Sequence, residues 1–497
     1  MRPPVNRVHH PASRHPALET WLANCNRRPA PWLAALAALF AIQISPWWYP
    51  TPDTVLYLSM ARSIAAAHHV AALGNPQTGF PPGYPLLISP AFLFGERPFL
   101  ALSFIHWVMA VVLMAGVYRW FQQRCPAAAV LLTGLVMVNV SVWIHYRRAL
   151  SELAFMTVLV WTVHALNAVL ESESTLIAFR RGLIAGALLI LLSLIREVGL
   201  VCSAGFAVAA FVAVRSSEIR RPVAVVVTLM VAIPAALAVA AFLHHDVTMK
   251  ASSPVPMGTH VDGLMHPPAT TSADRLIEGV RLRITDAGQL LIPGMFNAYG
   301  KRGTWLDFNM AVYIPLIVMV AMGWWKLVRI QPDVFALTLP FYLLAYIVWA
   351  FAGGSRYTLP VVPVVLASVW YLLEPLQQRR LTVLAILLVA HLGVSIGYWL
   401  AKDIPHGREC NAQWRTVERL AGAIRGDRRG VRAVNVPECI GLMLAFSLDR
   451  PVQMTLNQRD GSDVRSIVMK DGEPAVRGFS VALRAAPYAL LVRDDNR

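Results

Sequence analysis

The stretch FLALSFIHWVMAVVLMAGVYRWF, residues 99–121, holds a single charged side chain, Arg119, among 23 residues. As a helix rising 1.5 Å per residue it would reach about 34 Å, enough to cross the hydrocarbon core of a bilayer. Working outward, eleven stretches of this kind can be marked, at roughly 31–48, 99–121, 127–145, 149–170, 182–198, 199–214, 223–243, 309–328, 333–351, 357–374 and 381–400. The fifth and sixth are short and also read as one broken hairpin. The whole composition agrees: of 497 residues 56% are hydrophobic and 14% charged, with mean hydropathy +0.52. A water-soluble chain of this size would carry more charge.

The net charge of +16 would suit nucleic acid, but its placement excludes that reading. The basic residues gather in alternate loops: Arg27 and Arg28, Arg119 and Arg124, Arg180 and Arg181, Arg215 with Arg220 and Arg221, Lys326 and Arg329, Arg379 and Arg380. Such alternation marks cytoplasmic loops. It places residues 1–30, polar and expected to be disordered, in the cytoplasm. With an odd number of spans, the loops 47–98 and 244–308 and the tail 401–497 then lie outside the plasma (bacterial inner) membrane. No cleavage site follows the first apolar run, and Trp47, Trp48 and Tyr49 mark an interfacial belt, so that run reads as a retained anchor. The predicted architecture is a mainly α, multi-span bundle over 31–400 with helices in its outer loops and a small α/β C-terminal domain. Helices are expected over Thr54–His68, Ser272–Leu291, Trp414–Ile424 and Ile440–Leu448, and strands over Val431–Val436 and Tyr488–Val492. Cys410 and Cys439 both fall in the exported tail, where an oxidising compartment permits a disulfide. A pair and two separate thiols both fit the spacing.

Five constellations carry charge or rigidity on the outer side. Thr51-Pro52-Asp53 reads as a helix start, with a capping Thr, Pro in the first turn and an acid at the positive helix end. Asp53 and Tyr57 are four apart and share a helix face. Asp53 either stabilises the helix end or serves as a general base on an acceptor hydroxyl. Phe80-Pro81-Pro82-Gly83-Tyr84-Pro85 is a stiff turn without chemistry of its own. His145-Tyr146-Arg147-Arg148, leading to Ser151-Glu152, breaks the positive-inside trend at a span mouth. Arg148 and Glu152 either pair on a helix or act together on an anionic substrate, the acid included. Arg196-Glu197 is a similar pair at another span end, equally ambiguous. Gly353-Gly354-Ser355-Arg356-Tyr357-x-Leu359-Pro360 puts a guanidinium at an outer mouth with no acid nearby in sequence, and guanidinium suits phosphate. The histidines show no tight metal-ligand spacing, and no Walker loop or dinucleotide fingerprint occurs.

In order, the segments PDTVLYLSMARSIA, FPPGYPLL, RRALSELAF and SRYTLPVVP resemble those of the GT-C superfamily of membrane glycosyltransferases. Within it they are similar to bacterial relatives of the dolichyl-phosphate-mannose protein mannosyltransferases and to the aminoarabinose transferases of lipid A. The resemblance covers nearly the whole chain and rests on the order and sidedness of the motifs. It implies a cell-envelope glycosyltransferase that moves a hexose or pentose from a polyprenyl-phosphate donor to a glycolipid, polysaccharide or protein acceptor on the outer face. It also implies that Asp53 is the catalytic acid of the first outer loop, that Glu152 is the acid opening the fourth span, and that Arg356 contacts the lipid-linked phosphate. Tyr57, Arg148 and Tyr357 complete the expected substrate contacts. Many relatives place a glutamate before the proline pair of the first loop, where it helps bind a metal; here that stretch reads Gln77-Thr78-Gly79-Phe80-Pro81-Pro82, so no cofactor is expected. A single displacement with one base implies inversion. Two rival readings stand beside this one. A lipid flippase or transporter would show inverted repeats and mid-membrane charges, and neither is present. A non-catalytic assembly subunit would use the tail as an interaction module.

Overall fold

A computed structural model describes residues 16–73, 80–215, 223, 225–234, 236–237, 241, 272–292, 304–348, 354–377, 379–424, 430–434, 438–449, 452–455, 464–470, 479–485 and 488–493. The chain enters through α1 (Pro16–Arg27) and α2 (Ala30–Ala41). The first of these stands where disorder was expected; residues 1–15 of that stretch lie outside the described residues. Cys25 is buried, Trp21 meets Trp32 edge-on at 4.7 Å, and Asn26 bonds both Ala127 O and Val130 N at 2.7 and 3.1 Å. Those tertiary contacts order a polar sequence that has little reason to fold alone. The segment between α2 and the next long helix contains α3 (Pro52–Ala67) and α4 (Gly83–Ile88), the latter continued by a 3-10 turn over Ser89–Phe94.

The long apolar stretch forms α5 (Phe99–Arg124). Leu100, Phe104, Val108 and Val112 are exposed on it at four-residue intervals, the lipid-facing stripe of a helix. A bent pair follows, α6 (Ala129–Met137) and α7 (Val140–Arg147), with the break at Asn139, whose side chain caps α7 through Ser141 N. Then come α8 (Glu152–Leu170), α9 (Thr175–Ile195), a 3-10 turn over Glu197–Leu200, and α10 (Val201–Arg215). Beyond α11 (Ser272–Leu291) lie α12 (Thr304–Ile330), α13 (Val334–Val348), α14 (Val362–Leu372) and α15 (Arg379–Tyr398). Among the described residues five helices are long and apolar enough to cross a membrane, the bent pair adds a sixth, and six shorter apolar helices accompany them. Of the five, α8 is 78% buried along its apolar window, whereas the others are 17–39% buried. It is therefore the central helix, and whatever sits at its mouth sits at the centre of the bundle.

The run from α15 does not stop at 401. A π-turn, Trp399–Asp403, carries it into α16 (Ile404–Ala412) and then α17 (Trp414–Ile424). The C-terminal domain adds β1 (Gly430–Val434), α18 (Glu438–Leu448), β2 (Val452–Thr455), β3 (Val464–Lys470), β4 (Phe479–Ala485) and β5 (Tyr488–Arg493). Its five-stranded sheet has the order β2-β1-β3-β5-β4, with β1 parallel to both neighbours and the remaining pairs antiparallel. The helix between the parallel neighbours β1 and β2 is the crossover such a pairing needs. On α17 the buried residues Trp414, Val417, Leu420, Ala421 and Ile424 recur at helical spacing, which is how the sequence signalled it.

This domain docks directly onto the segment that carries α3. Trp48 stacks on Phe99 and Trp414 at 5.4 and 5.9 Å and meets Phe446 at 5.2 Å. Asp449 accepts from Ser59 and Arg62 of α3 at 2.6 and 2.7 Å. Arg97 pairs with Glu418. The domain thus holds the far half of α3, whose first turn carries Asp53.

Candidate active site

α3 begins as its sequence predicts. Thr51 accepts from Thr54 N at 3.3 Å, and Thr54 Oγ1 accepts from Thr51 N at 2.8 Å, a closed capping box. Trp48 Nε1 donates to the same Thr54 hydroxyl at 3.2 Å. Asp53 therefore stands in a fixed first turn, where the helix dipole favours its negative charge. One turn on, the Tyr57 hydroxyl lies 3.3 Å from Ser151 Oγ, tying α3 to the residue before α8. Burial pushes the Tyr57 phenol well above its ordinary range, so it acts as a neutral hydrogen-bonding group.

Three of the residues singled out by the sequence converge. Arg356 Nη1 donates to Asp53 Oδ2 at 2.9 Å, and Arg356 Nε donates to Glu152 Oε1 at 2.7 Å. These contacts span 303 and 204 residues of chain. Arg356 lies in a 3-10 turn, Gly354–Tyr357, just before the proline-bearing turn Leu359–Val361 that leads into α14. The absence of an acid near Arg356 in sequence is thus corrected in space: two carboxylates balance it. Burial alone would lower this guanidinium; Glu152 and then Asp53 outweigh it and hold the group above its ordinary value.

Two pairings open in the sequence are also corrected. Arg148 and Glu152 do not share a helix face, because Arg148 ends α7 in extended geometry (φ −93°, ψ 141°) and Glu152 begins α8. Nor does Arg196 pair with Glu197. Its Nη1 donates to Glu152 Oε1 at 2.7 Å, the oxygen that Arg356 also uses. Glu152 is fully buried, and its Oε2 has no hydrogen-bond partner among the described residues.

Arg147 and Arg148 divide into different roles. Arg147 is buried against Asp403. Arg148, partly buried, makes no hydrogen bond or ion pair among the described residues, and burial lowers its guanidinium as expected for a cation without a carboxylate of its own. The electrostatic reach of Glu152 and Arg356 extends to it. Around the mouth of α8 the arginines 148, 196, 283 and 356 gather with the acids Asp53, Glu152 and Asp286. Tyr357 is the aromatic hub: the guanidiniums of Arg283, Arg196 and Arg356 lie 5.1, 5.5 and 5.5 Å from its ring, and Tyr346 stacks on it at 4.8 Å. Cation–π contact of this kind keeps buried guanidiniums oriented.

Arg196, Arg283 and Ser151 belong to this cluster and were not foreseen. The signal for Arg196 was present, a charge at a span end, but its partner lies 44 residues away. Arg283 sits on α11, where it also pairs with Asp286 at 2.9 Å. The disulfide left open between Cys410 and Cys439 involves a side chain outside the described residues, and residues 74–79 of the first loop lie outside them too. Among the described residues no three His, Cys, Asp or Glu side chains gather as a metal site. Among the described residues the carboxylate nearest Asp53, that of Glu152, is bridged by two guanidiniums rather than open to a cation.

Comparison with known proteins gives no matching family model and no matching curated sequence. Solved structures do match in fold. ArnT from Cupriavidus metallidurans, bound to undecaprenyl phosphate, is 11% identical with a TM-score of 0.55, over 94% of this chain and 98% of that one. The oligosaccharyltransferase of Archaeoglobus fulgidus, in complex with Zn and sulfate, is 13% identical with a TM-score of 0.54, over 88% of this chain and 68% of that one. The chain is an integral membrane protein with the multi-span helical GT-C-type fold.

Proposed function

We propose that this chain is a glycosyltransferase that moves a sugar from a polyprenyl-phosphate donor to an acceptor hydroxyl at the membrane face carrying α3 and the C-terminal domain, and that this face is the exported one. The observation that carries the proposal is the meeting of Asp53, Glu152 and Arg356 at the mouth of the central helix, with a further cation, Arg148, beside them. Support for a lipid-borne phosphate comes from the fold shared with ArnT, which binds undecaprenyl phosphate.

The geometry suggests a division of labour. Asp53 uses Oδ2 for Arg356, and its side chain is 26% exposed, so Oδ1 is open to an incoming hydroxyl. It takes the acceptor proton as the acceptor oxygen bonds to the anomeric carbon and the bond from that carbon to the phosphate oxygen breaks. One displacement of this kind inverts the anomeric centre. Arg356 has spent Nε and Nη1, and its Nη2 remains for the departing phosphate, with Arg148 as the second cation. Preorganised positive charge at a leaving group is commonly the larger catalytic term, and a positioned base contributes about 10²–10⁴-fold. Glu152, enclosed between two guanidiniums, suits the orienting of Arg356 better than it suits proton transfer.

The direct test is binding of undecaprenyl phosphate to the purified full chain in nanodiscs. Saturable binding that weakens with rising salt and in Arg148→Ala is the expected result. Binding indistinguishable from that of an uncharged polyprenol would remove the phosphate from the proposal.

A further inference from the structure

We infer that Arg196 is a positioning residue that acts through Glu152 to set where the Arg356 guanidinium stands between Glu152 and Asp53. The inference deepens the function proposed above and rests on it.

Four observations carry it. Arg196 and Arg356 donate to the same oxygen, Glu152 Oε1, each at 2.7 Å. A carboxylate oxygen shared by two guanidiniums gives each of them less than a whole partner. Arg356 accordingly keeps a second contact, to Asp53 at 2.9 Å. Second, Arg196 is enclosed by aromatic rings. Its side chain is 12% exposed, and its guanidinium lies 5.5 Å from the Tyr357 ring and 6.0 Å from the Phe155 ring. Third, Glu152 is the carboxylate with which Arg196 forms an ion pair, while Glu197 makes none among the described residues. Fourth, the backbone around Arg196 is clamped from both sides. A Cβ on Gly83 would stand 2.6–2.8 Å from backbone atoms of Leu194 and Ile195, and one on Gly199 would stand 2.9 Å from Leu192 C and O. The α4 helix and the turn after Arg196 therefore pack as closely as glycine allows, which fixes the point from which the side chain reaches Glu152.

The physical consequence has a sign. Without Arg196, Glu152 has one guanidinium left and draws Arg356 to itself through both oxygens, since its Oε2 has no other partner among the described residues. A fork–fork pair of that kind is strong and planar. Arg356 then turns from Asp53, and the nitrogen left for phosphate turns with it. With Glu152 also neutral there is nothing to draw Arg356 away, and the loss of Arg196 should matter little. Two independent point charges acting on a phosphate would instead add.

The test is a double-mutant cycle on undecaprenyl phosphate affinity, measured on the full chain in nanodiscs for the parent, Arg196→Gln, Glu152→Gln and the double variant, with Arg196→Lys as the conservative variant. Coupling between residues in one network commonly changes an equilibrium by about 2- to 100-fold. We expect Arg196→Gln to weaken binding about tenfold in the parent and less than threefold in the Glu152→Gln background, with Arg196→Lys recovering part of the loss. Equal losses in the two backgrounds would overturn the inference while leaving the proposed function standing. A parent chain that does not bind undecaprenyl phosphate would overturn both. Should Arg196→Gln fail to yield folded protein, the lysine variant in the two backgrounds gives the same comparison, and equal effects there would count against the inference in the same way.

Discussion

At the scale of single residues the account turns on how Arg356 is shared. Its guanidinium is not a bare cation awaiting phosphate; it is paired with Asp53 and Glu152, and in the proposed function the donor phosphate meets its Nη2 and the nearby Arg148. Arg356→Ala removes two charge-assisted hydrogen bonds and leaves Glu152 with Arg196 alone. It also removes the proposed contact to the phosphate; one charge-assisted hydrogen bond contributes about 1.5–3 kcal/mol, so donor use should fall about 10–100-fold. Arg356→Lys keeps the charge and loses the fork, and should retain an intermediate activity. Neither change should alter which acceptor is used. The check is turnover with a saturable lipid donor on purified protein, together with a melting temperature for each variant. Arg356→Ala with parental donor use and a lowered melting temperature would make Arg356 a structural clamp only.

Among the secondary-structure elements, the sequence was most legible where the signal is local. Thr51-Pro52-Asp53 announced the start of α3, the spacing of Trp414, Val417, Leu420 and Ala421 announced α17, and Ser272–Leu291 was marked to its ends. What could not be read was partnership. Arg148 and Glu152 look like a helical pair at four residues, and only the chain break at 148–151 separates them. Arg196 looks like a partner of Glu197, and only the packing of α8 against α9 gives it to Glu152. The close seat of α4 on α9 offers a test at this scale. Gly83→Ala places a Cβ within 2.6 Å of the Leu194 carbonyl carbon, so α4 or the Ile195–Arg196 turn must move. Overpacking of this kind costs about 1–3 kcal/mol. Thermal melting should show the loss, and undecaprenyl phosphate binding should weaken with it. Gly393→Ala, where a Cβ meets nothing within 4 Å, should be neutral or stabilising by the helix preference of alanine. Equal melting temperatures for the two variants would mean that the seat of α4 is soft.

For the whole molecule, the distribution of charge and the docking of the C-terminal domain support the proposed sidedness. Arg124 is buried with Asp333 and Trp120 at the far end of α5, while Asp53, Glu152, Arg148 and Arg356 gather at the other end of the bundle beneath the C-terminal domain. Loops rich in Arg and Lys belong to the former side. Reporter fusions at residues 175, 270 and 450 should therefore report cytoplasm, exterior and exterior. A cytoplasmic signal at 450 would put the candidate site on the wrong side of the membrane for a donor presented outside. The multi-span class and the α/β tail were legible from hydropathy and patterning alone. The break at Asn139 and the continuation of α15 through a π-turn into α16 were not, because both depend on tertiary packing and leave no compositional mark.

The central claim is that Asp53 serves as the base in transfer of a sugar from a polyprenyl phosphate. Mass spectrometry of the lipids and surface glycans of a deletion strain, complemented with the parent gene or with Asp53→Asn, tests it most directly. The amide keeps the shape of the side chain and its place in α3, and loses the basicity. The account predicts that the deletion strain accumulates one polyprenyl-phosphate sugar and lacks that sugar on one surface acceptor. The parent should reverse both changes, and Asp53→Asn, expressed at the parental level, should reverse neither. Full restoration by Asp53→Asn would contradict the account, reducing Asp53 to a residue that stabilises the start of a helix.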